Sequence, residues 1–154
     1  MFRGNEGHRQ TAFFSTVQHM PLGVKKMLDG SWAPAFRQLI FEKIDERRYS
    51  ELYSPLKSRP NFPVNIWVGL EIIKGLFDYT DQELLEQFHF NLLTVYALGQ
   101  ENLGKVTLCE WTLYYNRERL LEYGERTGRN LLEEEFEVIT ADALAIETIE
   151  AVLY

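Results

Sequence analysis

A single cysteine, Cys109, excludes an intramolecular disulfide framework and fits a reducing cytoplasm. Long apolar runs are missing as well. The richest window, Ile66 to Phe77, is interrupted by Glu71 and Lys74 and falls short of the roughly 20 residues a bilayer span needs. Arg3, Glu6, His8 and Arg9 precede any apolar stretch, which is not the pattern of a secretory signal. No period-two alternation marks a strand, and no repeat recurs at solenoid spacing. A Gly-rich phosphate loop and a nucleophile elbow are both lacking. His8, His19 and His89 have no metal-ligand spacing with one another or with Cys109, so no metal site is expected. The expected place of work is the cytoplasm, away from membranes.

Bases are lacking from one end only. Residues 130–154 carry seven acids and no Lys or Arg, while residues 1–129 hold all 16 bases and 16 acids. The formal charge of −7 therefore belongs to the C-terminal segment. That is unfavourable for a DNA contact there, because phosphate neutralisation supplies most non-specific affinity. The first 60 residues differ, with ten bases against six acids. Arg3, Arg9, Lys25, Lys26, Arg47, Arg48, Lys57 and Arg59 gather in this front region, and a nucleic-acid contact is better sought there.

What is present is helical. The chain is 45% hydrophobic with 10 Phe, 8 Tyr and 3 Trp, enough for a packed core in one domain of 154 residues. Residues 1–30 read as an arm with at most a short helical turn. Ser31 precedes Trp32-Ala33-Pro34, a proline suited to a first turn, and Phe36, Leu39, Ile40 and Ile44 predict a helix to about Asp45. Tyr49 to Tyr53 reads as another short turn. Pro55, Pro60 and Pro63 make a connector. Val64 to Phe77 reads as a buried helix whose Gly69 and Gly75 are costly unless another backbone packs close. Thr80 and Glu83 form a capping box, Asn91 caps a short helix that Gly99 ends, and Gln100 to Val106 is loop. A helix from about Leu108 stops at Gly128, and Asn130 caps the last one. In that last helix Leu132, Phe136, Ile139, Ala143, Ile146 and Leu153 step at four and three, a seam suited to a partner helix.

The motifs occur in a telling order. Arg59-Pro60-Asn61-Phe62-Pro63 is followed by Gly69-Leu70-Glu71-Ile72-Ile73-Lys74, then Thr80-Asp81-Gln82-Glu83-Leu84-Leu85-Glu86. Tyr96-Ala97-Leu98-Gly99 comes next, then Thr112-Leu113 with Arg117-Glu118-Arg119-Leu120. The series resembles the N-terminal helical domain of bacterial DDE-type insertion-sequence transposases and covers most of the chain. The resemblance implies an all-α fold, a compact multi-helix domain with a helix-turn-helix-like core. Its parts would be the arm (1–30), the helical domain (31–129) and an acidic amphipathic helix (130–154) leading toward a catalytic domain outside this chain. It also implies DNA recognition and synaptic assembly without catalysis, the divalent metals belonging to that other domain, so no cofactor is expected here. Asp142 lacks the family's "D-S-T" context and reads as a solvated helix face. Asn116 stands where the family has Phe, an amide on the packing side that needs a hydrogen bond.

For DNA, the Thr112 to Arg129 segment is the leading candidate, with Arg119, Arg126, Arg129 and Tyr115 beside Arg47, Arg48, Lys57 and Arg59. Glu118, Glu122 and Glu125 share the face, and Glu122 and Arg126 are spaced for a solvent-exposed ion pair. Leu113, Leu120, Leu121 and Tyr123 form the expected apolar arc. Arg117 falls within it and reads as a buried hydrogen-bonding anchor. His89 reads as a core-edge histidine, and Cys109 as a packing or capping residue. The alternative function is a helical protein-interaction module, pairing with a partner helix or as a homodimer through the C-terminal seam.

Overall fold

The computed structural model describes the backbone of residues 1–9, 13–53 and 60–153, and the side chains of these except at 8 and 145–153. Every regular element among the described residues is helical. The α-helices are α1 (Leu22–Asp29), α2 (Trp32–Leu39), α3 (Val64–Phe77), α4 (Asp81–Phe90), α5 (Leu92–Ala97), α6 (Glu110–Thr127) and α7 (Leu131–Leu153). Short 3-10 helices lie at Gly7–Arg9, Phe41–Lys43 and Glu46–Leu52.

Helix α3 is the axis of the core. Its largely apolar sequence leaves eight residues buried, among them Ile66, Trp67, Leu70 and Ile73. The Trp67 ring meets the buried Tyr49 edge-on at 6.2 Å. Gly69 lets Leu98 reach this helix, since an added Cβ would lie 2.5 Å from Leu98 Cδ2. Gly75 has no such neighbour within 4 Å. The close contact at Gly69 is therefore with a side chain, and Gly75 has none.

The caps act where the sequence places them. Thr80 Oγ1 accepts from the Glu83 amide at 3.2 Å, and Glu83 Oε2 accepts from the Thr80 amide at 2.7 Å. Asn91 caps α5 through the Leu93 amide at 2.9 Å, and Asn130 accepts from the Glu133 amide at 3.3 Å. Gly128 takes φ 73° and ends α6, a left-handed stop that costs glycine little.

Two segments depart from expectation. The helix expected through Asp45 ends at Leu39, and Ile40 turns out of helical geometry before the 3-10 turn. Phe36 and Phe41 are five residues apart, so an unbroken helix would point them roughly 140° apart. The break brings both into the core, at 5% and 1% exposure. The arm likewise holds a full helix, α1, and is tied down at several points. Asn61 Oδ1 accepts from the Arg3 amide, Glu46 Oε2 from the Asn5 amide, and Asn102 Oδ1 from the Thr16 amide.

The last helix packs along a line different from the expected seam. Leu131, Glu135 and Ile139 are buried, four residues apart, while Phe136 is 56% exposed and Leu132 and Ala143 half-buried. Ile146 and Leu153 carry side chains outside the described set. In α6 the apolar arc loses Leu121, which is 68% exposed, and gains Asn116, which is buried.

Candidate nucleic-acid interface

Helix α6 positions every candidate on that side of the molecule, so its anchoring comes first. Arg117 reaches from α6 into a pair of carboxylates. Its Nε donates to Glu71 Oε1 at 2.8 Å, and Nη1 and Nη2 donate to Asp81 at 2.9 and 2.8 Å. Glu71 is on α3 and Asp81 opens α4, so one guanidinium ties three helices. The Arg117 bonds hold the Asp81 carboxyl below its ordinary value, and Lys74 at 3.8 Å adds to this. Arg117 makes the hydrogen bonds expected of an anchor, but it is half-buried, not buried. The Asn116 amide is met as well: it accepts from Tyr53 Oη at 2.8 Å and donates to the Thr112 carbonyl at 2.9 Å. Its long-range partner is thus Tyr53, 63 residues away.

Along α6 the candidates split into two groups. The first lines a groove of about 610 Å³ bounded by Met1, Tyr53, Asn61, Cys109, Tyr115 and Arg119. The Arg119 guanidinium lies 4.9 Å from the Tyr53 ring centre. Burial pushes the Tyr53 hydroxyl up to about 12, with Arg119 pulling the other way. Arg119 is exposed and joins no carboxylate among the described residues. Tyr115, one turn earlier, is 58% exposed and sits 6.4 Å from the exposed Trp111 ring. An uncompensated guanidinium beside open aromatic faces can grip phosphate and stack on bases.

The second group surrounds Tyr123 at the far end of α6. Arg126 and Arg129 lie 5.6 and 6.0 Å from its ring centre. Arg129 Nη1 donates to Tyr123 Oη at 3.0 Å, while Nε and Nη2 grip Glu134 at 2.9 and 2.8 Å. Arg48 donates through Nε to the buried Glu135 at 2.9 Å and approaches Glu134 at 3.5 Å. Glu135 also accepts from the Asp45 amide, and its burial raises the carboxyl's pKa against these partners. Arg48 and Arg129 are thus already engaged by carboxylates. The ion pair expected between Glu122 and Arg126 is not formed; Arg126 turns to Tyr123 instead.

Arg47 is exposed, and its backbone amide donates to Asp45. Lys57 and Arg59 lie outside the described residues. Asp142 is exposed, and no group of three potential metal ligands occurs among the described residues. His89 has both ring nitrogens engaged, Nδ1 with the Leu85 carbonyl and Nε2 with the Leu108 amide. Cys109 is the exposed N-cap residue of α6, not a packing residue, and its Sγ lies 3.3 Å from Thr112 Oγ1. That hydroxyl lowers the thiol's pKa. No helix among the described residues is long and apolar enough to cross a membrane.

Sequence reasoning missed Tyr53, Tyr123 as a hydrogen-bonding centre, and Glu134. Only the spacing of Arg129 and Glu134 across the α6–α7 turn hinted at their pairing. No family model, curated protein or solved structure matches this chain.

Proposed function

We propose that this chain is the non-catalytic N-terminal region of a transposase, contributing to transposon-end DNA recognition and synaptic-complex assembly. Cutting and joining would fall to a separate DDE domain with its own divalent metals. The motif order raised this reading. The observation that carries it is Arg119, free of any carboxylate among the described residues and set against Tyr53 beside the exposed Tyr115 and Trp111. Arg126 and Arg47 are also exposed and count among the proposed contacts. The helix-turn-helix-like character of the core belongs to the same proposal.

Anisotropy titrations of the full chain with duplex DNA at two salt concentrations test it. Arg119→Ala should weaken binding and reduce the salt slope by about one unit, the signature of one lost phosphate contact. An unchanged slope would remove Arg119 from the interface. A second reading, a helical protein-interaction module, draws on Phe136, which stands 56% exposed on α7 while its neighbours Glu135 and Ile139 pack inward. Absence of DNA binding at low salt and high protein would favour that reading.

A further inference from the structure

Where α6 hands over to α7, Arg126 and Arg129 lie against the Tyr123 ring, and Glu134, in the first turn of α7, sits between Arg129 and Arg48. Arg129 holds this carboxylate with two near-parallel N–H···O bonds of 2.9 and 2.8 Å, and Arg48 Nη1 approaches the same Oε2 at 3.5 Å. A two-pronged grip with a second guanidinium alongside is also the arrangement that suits a phosphate oxygen pair.

The arginines are braced independently of Glu134. Arg129 is tied to Tyr123 Oη at 3.0 Å, and Arg48 is tied through Nε to Glu135 at 2.9 Å. Removing the Glu134 carboxylate therefore leaves the donors in place. The position is also reachable from solvent, with the Arg129 side chain 51% and Glu134 30% exposed. Glu133, its neighbour in the same first turn, has the same formal charge but pairs with no base among the described residues.

We propose that Arg129 and Arg48 form an oxyanion site whose resident anion is Glu134, so that the first turn of α7 is an internal competitor for a phosphate group. This deepens the nucleic-acid reading above, and rests on it only for the source of the phosphate. A displaced Glu134 exposes the Arg129 fork, with Arg48 alongside still tied to Glu135. Whatever moves the start of α7 then sets how many phosphates this face can hold.

The test compares the full-length wild type with Glu134→Ala, Glu133→Ala and the double variant Glu134→Ala/Arg129→Ala. Glu134→Gln serves as a second form that keeps the side chain's length, and thermal melts confirm that each is folded. The first probe is inorganic phosphate, followed by the Nε–H resonances of Arg48 and Arg129. Glu134→Ala should respond at phosphate concentrations that leave wild type and Glu133→Ala unmoved, and the double variant should lose the response. If both Glu134 variants behave like wild type, or Glu133→Ala responds equally, the site is overturned, the latter result reducing it to general charge removal.

The second probe is duplex DNA. Tighter binding by Glu134→Ala with a salt slope steeper by about one unit supports a phosphodiester occupant. A phosphate response without any gain on DNA upholds the oxyanion site and counts against the DNA reading of this face.

Discussion

Gly69 and Gly75 lie six residues apart in one helix, yet replacing them by alanine should have opposite effects. At Gly69 an added methyl would collide with Leu98, a fully buried side chain that would have to shift among its packed neighbours. Overpacking of this kind costs about 1–3 kcal/mol, enough to outweigh the roughly 1 kcal/mol gained in helix propensity. At Gly75 the space is open, so the propensity gain stands alone. Thermal melts should show Gly69→Ala lowered and Gly75→Ala raised. Equal signs would mean the Leu98 contact does not govern Gly69. A second residue-scale test concerns the Tyr53–Asn116 bond. Tyr53→Phe leaves a buried amide oxygen without that donor, a loss of about 1–3 kcal/mol. Replacing both residues by apolar ones should cost less than the two single changes added together, which a double-mutant cycle measures directly.

Between elements, the Arg117 clamp sets an acid dependence. Because Asp81 is depressed in the folded state, its contribution is present above its ordinary value of 3.8 and is lost as pH falls through the lower folded value. Asp81→Asn should therefore lower the melting temperature at neutral pH, and the gap from wild type should narrow below about pH 4. A gap that persists at low pH would show that the loss is one of packing, not charge. The orientation of α7 gives a further contrast. Ile139→Ala removes a side chain only 6% exposed and should cost about 2 kcal/mol. Phe136→Ala, on the open side, should change stability by no more than about 0.5 kcal/mol. Urea unfolding of the two variants distinguishes this packing line from one running through Phe136.

For the molecule as a whole, under the DNA-binding proposal the acidic end opposes the basic front. Deleting residues 130–154 would strip Leu131 and Ile139 from the core, so charge is better tested by substitution. Glu137→Gln with Asp142→Asn removes two exposed charges that pair with no arginine among the described residues. This pair should strengthen non-specific DNA binding modestly while leaving the salt slope unchanged, because field strength changes but the number of phosphate contacts does not. A steeper slope would mean that these acids also mask cations.

The all-helical class, the bounds of α3 and the caps at Thr80, Asn91, Gly128 and Asn130 were legible in the sequence. They depend on periodicity and on hydrogen bonds that span three or four residues, and such local terms are written in adjacent letters. The anchoring of Arg117 was legible too, since a charge within an apolar arc requires partners. Its identity was not, because Glu71 and Asp81 arrive from two other helices. The same limit applies to Ile40, where the chain gives up helical bonds so that Phe41 can enter the core. It applies to α7, whose inward face includes the charged Glu135 because Arg48 and the Asp45 amide wait beneath it. Which arginines remain available is likewise a tertiary outcome. Arg119 stays open and Arg129 is taken, although both were candidates for DNA contact, because the turn between α6 and α7 brings Glu134 back onto Arg129.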